Sequence, residues 1–347
     1  MPNSKPYYHS IDTLRGIAAL LICSFHFLNH QDETGFLLSE GNSIRQLSAF
    51  LPPAVFVFFL LSGFVITASL SKRNFHVKNF FSFLTRRWVR MEIPYIASIL
   101  IYLFIAFAWS VYGNTNFTVD LERFLHHLIY STHLVGLEWY NEIYWTLAIE
   151  FQFYILIALL FSFLVSTNSW MRYTIIFALA ISAFIFQNNG LVFHYLPFFL
   201  LGIVLYLQQD ELRFKDLNRL ILFLLIIQIS FSFGELTAIY MAVAVFLIAQ
   251  PMSATSLFSR LGKISFSFYL LHGAIGGNII YFGAKYIHGD VQRVLLVIVA
   301  IVLSILGSLL FYRFVEKPAI HLSKLIEPAE KGRVERADLE LEFRARK

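Results

Sequence analysis

Arg15 and His26 lie eleven positions apart in one apolar stretch, LRGIAALLICSFHF. At about 100° per residue, eleven steps make about three turns, so a helix stacks both side chains on one face, about 16 Å apart. A charged side chain at the centre of a membrane helix costs about 2.5–3.5 kcal/mol on insertion scales, so the pair is expected to line a protein interior or an aqueous cavity. An imidazole titrates nearest neutrality and can take the proton of an attacking hydroxyl, the difficult step in moving an acyl group onto an alcohol. The alternative for His26 is a hydrogen bond that ties two helices together. For Arg15 it is an intrahelical pair with Asp12, three positions earlier.

Other segments carry candidate chemistry. In LTRRWVRMEIP, Arg87 and Arg90 point to one side of a helix with Arg86 beside them, bidentate donors suited to phosphate oxygens. The alternative is the ordinary basic decoration of a cytoplasmic helix end. Pro94 follows and is expected in the first turn of its span, where its missing amide is harmless. In EIYWTLAIEFQFY, Glu150 is an intramembrane carboxylate expected near the depth of His26, either holding the imidazole in one tautomer or serving another buried donor. In FVFFLLSGFVIT, Ser62 and Gly63 permit close helix approach or a thin wall beside a substrate. ISFSFYLLH adds Ser267, Tyr269 and His272, with His272 read as a buried histidine beside a hydroxyl and kept out of the catalytic core.

The elements that position these residues must be membrane helices. Of 347 residues, 58% are hydrophobic and only 14% charged, with a mean hydropathy of +0.66. No ordinary soluble domain of this size has that composition. The 38 phenylalanines are read as packing, and the single cysteine, Cys23, excludes an internal disulfide and a cysteine-rich zinc site. There is no Gly-rich phosphate loop and no fixed repeat. Apolar runs near 12–29, 52–70, 92–111, 145–166, 171–187, 191–208, 219–234, 236–250, 264–284 and 293–314 predict an all-α polytopic membrane helix bundle of about ten transmembrane helices. The first run is read as a retained span, capped at its cytoplasmic end by Ser10 or Asp12.

An even count puts both termini on one side. Lys72, Arg73, Lys78, Arg86, Arg87, Arg90, Arg172, Arg213, Lys215, Arg219, Arg260 and Lys263 then face the cytoplasm, against Arg45, Arg123, Lys285 and Arg293 outside, which orients the termini inward. The same bias explains the net charge of +5 without nucleic acid. The outer stretch FTVDLERFLHHLIY reads as a helix along the outer surface. Residues 1–324 form the transmembrane domain, and 325–347 read as a charged cytoplasmic tail.

These segments, in this order, resemble the membrane-bound acyltransferase type 3 family, which modifies surface glycans, lipid-linked sugars and some small molecules. DTLRGIAALLICSFH resembles its first-helix signature, FFLLSGFVI its second, RRWVR its arginine motif and YWTLAIEFQFY its tryptophan and glutamate segment. ISFSFYLLH and YRFVEKPAI complete the series, and the likeness covers most of the chain. The resemblance implies transfer of an acyl group, acetyl by default, from cytoplasmic acyl-coenzyme A to a hydroxyl of a glycan or lipid-linked saccharide, without a metal. By carry-over, His26 is the central catalytic group, Arg15 supports the donor or the transition state, Glu150 is secondary, and Arg87 and Arg90, with Arg86, hold the donor phosphates. It further implies a bacterial inner-membrane setting among lipid and glycan-synthesis enzymes. The sequence departs from fused members in carrying no extracytoplasmic hydrolase-like domain. The competing reading is a transporter or export component for a glycan intermediate, although no paired interrupted helices support it.

Overall fold

The computed structural model describes residues 9–32, 35–210, 214–250 and 256–326. The helices in chain order are α1 (His9–Leu28), α2 (Ser43–Ser48), α3 (Val55–Lys72), α4 (Phe80–Tyr112), α5 (Leu121–Leu128), α6 (Trp145–Leu164), α7 (Ser169–Ile185) and α8 (Val192–Asp210). They continue as α9 (Lys215–Phe233), α10 (Glu235–Ile248), α11 (Leu257–Lys263), α12 (Ser265–His272), α13 (Asn278–Ala284), α14 (Asp290–Phe311) and α15 (Lys317–Leu325). Strand among the described residues is one antiparallel pair, Gln31–Asp32 with Gly35–Phe36. The protein is an all-α polytopic membrane bundle.

Among the described residues, seven helical stretches are long and apolar enough to cross a membrane: His9–Leu28, Ser43–Lys72, Val77–Tyr112, Glu142–Leu164, Val192–Gln209, Lys215–Phe233 and Asp290–Leu325. Ser169–Ile185 and Glu235–Ile248 are shorter apolar helices. The run expected near 264–284 is helical but interrupted by a π-helical turn at Gly273–Gly277. A second π turn, Tyr312–Glu316, joins α14 to α15. Such turns insert a residue into the ladder and re-aim the side chains beside them. One follows His272 and the other ends on Glu316.

Contact between helices is closest where glycines remove the side chain. A Cβ on Gly63 would fall 2.1 Å from the Phe199 carbonyl oxygen, and one on Gly202 would fall 2.0 Å from that of Leu60, so the backbones of α3 and α8 touch. Gly262 of α11 stands in the same relation to α1, with a Cβ placed 1.8 Å from the Asp12 carbonyl oxygen. Around these seams the phenylalanines pack as expected: Phe153 and Phe199 stack at 4.0 Å, and Phe56 and Phe198 at 4.4 Å with parallel planes.

Two local expectations are corrected. Asp12 is not a helix cap, because α1 is already helical at His9. Pro94 is not in a first turn, because α4 starts at Phe80 and runs unbroken through the arginine motif. The arginine motif is helical, as its spacing predicts, and Arg87 and Arg90 line a cavity. Pro94 lacks an amide for the carbonyl four residues earlier, that of Arg90. The charged segment beyond Ile326 lies outside the described residues.

Candidate active site

Two cavities follow one another along α1. The first, about 420 Å³, takes Asp12 and Arg15 from α1, Ser62 from α3, and Arg87 and Arg90 from α4. Glu150 and Tyr154 of α6, Tyr269 of α12 and Glu316 also line it. The second, about 530 Å³, takes Ile22, Phe25 and His26 from the next turns of α1, with Glu142, Trp145, Phe56 and Phe233 around them. Arg15 and His26 therefore face interior space, as their spacing predicts, but they face two different chambers.

In the arginine chamber the carboxylates are satisfied by hydroxyls. Ser62 Oγ donates to Glu150 Oε1 at 2.6 Å, and Tyr154 Oη donates to the same oxygen at 2.5 Å. Ser267 donates to Glu316 Oε2 through its backbone amide at 3.1 Å and its hydroxyl at 2.5 Å. The last contact joins the ISFSFYLLH and YRFVEKPAI segments. Among the described residues, Arg15, Arg87 and Arg90 have no ion-pair or side-chain hydrogen-bond partner. Arg87 instead sits 5.6 Å from the Tyr154 ring centroid and 5.7 Å from that of Phe83. Guanidiniums gathered around a cavity with open donors make an anion site. Among the described residues Arg15 forms no ion pair with Asp12, and Arg87 and Arg90 line the cavity. Arg86 does not join them; its Nε donates to the Ser82 carbonyl of its own helix at 3.2 Å.

In the second chamber His26 likewise has no hydrogen-bond partner among the described residues, so it does not tie two helices together. Its neighbour is a second imidazole. The His272 ring lies 5.4 Å from that of His26, tilted by 37°. His272 is 1% exposed, and its Nδ1 is 2.7 Å from the Tyr269 carbonyl oxygen. That acceptor fixes the proton on Nδ1 and leaves Nε2 as the basic nitrogen.

Glu150, expected beside His26, belongs to the arginine chamber. It lies five residues into α6, about 8 Å below Trp145, whereas His26 is two residues from the end of α1. The carboxylate in the chamber of His26 is Glu142, in the turn before α6. Sequence reasoning passed over Glu142 because it precedes the apolar run, and it never singled out Tyr154 or Glu316. It also set His272 aside; the signal was the position of His272 at the end of a motif whose next residues are Gly-rich, GAIGG.

The segment between α4 and α6 also reaches into the bundle. Helix α5 exposes Leu121 and Leu125 and buries His127 completely, and just beyond it Tyr130 donates to Glu92 Oε2 of α4 at 2.6 Å. The neutral His127 is held at both nitrogens: Nδ1 lies 2.7 Å from the Arg123 carbonyl, and the Tyr140 amide donates to Nε2 at 3.0 Å. Burial pushes its pKa below the ordinary imidazole value.

Among the described residues no group of three or more histidine, cysteine, aspartate or glutamate side chains is arranged to hold a metal ion. No solved structure matches the chain. Similar curated proteins are the O-acetyltransferase OatA of Staphylococcus aureus strains NCTC 8325 / PS 47, COL and MRSA252, each 26% identical over 91% of this chain. The aligned region is 57% of those proteins, so this chain spans little more than half of their length. A family model described as an acyltransferase domain matches residues 8–313, which contain every lining residue named above except Glu316, and the chain belongs to that acyltransferase type 3 family.

Proposed function

We propose that the protein is a membrane O-acyltransferase that takes an acyl group from cytoplasmic acyl-coenzyme A in the arginine chamber and gives it to a glycan hydroxyl in the His26 chamber. The observation that carries this reading is the pair of adjoining chambers, one lined by unpartnered guanidiniums and the other by an unpartnered imidazole. Guanidinium donors left open towards a cavity of about 420 Å³ mark a ligand site of ordinary size.

Arg87 and Arg90 bind donor phosphates, and Arg15, deeper on the same wall, faces the thioester end. His26 takes the proton of the acceptor hydroxyl as that oxygen attacks the thioester carbonyl carbon. The new carbon–oxygen bond forms, the carbon–sulfur bond breaks, and the proton passes from the imidazole to the departing thiolate. His272 positions the His26 ring by packing beside it, and Glu142 supports the imidazolium through its charge. The relatives' name, O-acetyltransferase, supports an oxygen acceptor, and the family resemblance implies that this oxygen belongs to a glycan or lipid-linked saccharide. The basic excess of the cytoplasmic loops and the family resemblance support an inner-membrane location with both termini cytoplasmic.

The test is coenzyme A release from acetyl-coenzyme A by the protein reconstituted in lipid bilayers. Release by the wild type that falls about 100-fold or more in His26→Ala, with coenzyme A still bound, supports the reading. Neither binding nor turnover by the wild type overturns it and returns the chain to the transporter reading.

A further inference from the structure

Two residues, Val55 and Tyr269, line both chambers. They stand where the arginine chamber ends and the His26 chamber begins. Neither is free to swing aside. The Tyr269 hydroxyl donates to the Ile143 carbonyl at 2.9 Å and lies 2.8 Å from Thr146 Oγ1, and its ring packs against Phe58 at 5.9 Å. Val55 opens α3 directly after the Pro52–Ala54 turn, where two prolines fix the backbone.

On the reading above, a thioester fed from the arginine side meets an acceptor oxygen on the His26 side. The reacting carbonyl then sits at this boundary, and the group attached to it lies against Val55 and Tyr269. We propose that these two side chains form the acyl seat and set the size of the acyl group that this protein transfers. With a β-branched aliphatic side chain and a tethered phenol both lining this boundary, the seat has room next to the carbonyl for a methyl group and excludes branching there.

The experiment compares acetyl-coenzyme A with isobutyryl-coenzyme A, whose branch lies beside the carbonyl whichever way the chain runs. Both donors are followed by coenzyme A release in reconstituted bilayers. One extra carbon in an apolar pocket is discriminated by about 10-fold or more. Val55→Ala is therefore expected to raise the isobutyryl-to-acetyl rate ratio about 10-fold. Val55→Phe, which fills the seat, is expected to lower acetyl transfer by a similar factor while coenzyme A binding persists. Tyr269→Phe keeps the ring but releases it from Ile143 and Thr146, and is expected to relax the ratio in the same direction as Val55→Ala. A ratio within about twofold of wild type in Val55→Ala, with acetyl transfer intact, overturns the seat and leaves the donor and His26 assignments standing. Absence of acetyl-coenzyme A turnover by the wild type removes the donor assignment, and the seat with it.

Discussion

The two chambers are neighbours on one helix, yet they are built from opposite materials. The arginine chamber concentrates charge: Arg15, Arg87, Arg90 and Lys263 stand against Asp12, Glu150 and Glu316. Glu150 and Glu316 are held by hydroxyls, so the arginines keep their donors for a ligand. The His26 chamber is mostly aromatic and aliphatic, with Glu142 as the charged side chain beside the imidazole. Fixed positive charge suits an anion that must be held. An imidazole among apolar walls suits a proton that must move, because little else there competes for it.

This contrast can be broken most sharply at the arginines. Arg87→Gln with Arg90→Gln removes charge-assisted bonds worth about 1.5–3 kcal/mol each, so the dissociation constant for coenzyme A is expected to rise about 100-fold or more. Unchanged binding by calorimetry in lipid would sink the anion site. A smaller effect separates the two carboxylates. Glu142→Gln is expected to lower acceptor-dependent transfer by about 10-fold without altering coenzyme A affinity, since it shares a chamber with His26. Glu150→Gln keeps an oxygen for Ser62 and Tyr154 and is expected to change donor binding rather than the proton-transfer step. Equal effects of both variants on donor affinity would mean that the chambers are not functionally separate.

The smallest effect concerns the segment between α4 and α6, where His127 is pinned by neutral hydrogen bonds while the arginine chamber uses charge. The pKa of His127 is lowered on folding, below the ordinary value of about 6.5. Between its folded value and about 6.5 the unfolded chain binds more protons, so stability is full above that range and declines as pH falls through it. The thermal midpoint is expected to drop by a few degrees from pH 7.5 to 5.5, and the slope to flatten in His127→Gln. A wild-type midpoint indifferent to pH would show that folding does not lower the His127 pKa.

Much of the site was legible because hydrocarbon makes polar residues conspicuous. Arg15, His26, Arg87 and Arg90 each stood out within or beside an apolar run, and all four line the chambers. Arg86 shared their motif and composition but points along its own helix, because adjacent residues on a helix diverge by about 100°. Gly63 meets the close-approach reading of its segment by seating α8, and Ser62 beside it holds Glu150.

The sequence by itself determined the all-α class, the positions of the apolar helices and the common face of Arg15 and His26, because each depends on residues close together along one chain. Only the tertiary structure decided which side chains meet. It placed Glu150 with the arginines and Glu142 with His26, brought His272 against His26, and tied Ser267 to Glu316 across 49 positions. Helical periodicity records the direction a side chain takes from its own axis. It holds no record of which helix stands opposite, and that order arises only when the whole bundle packs.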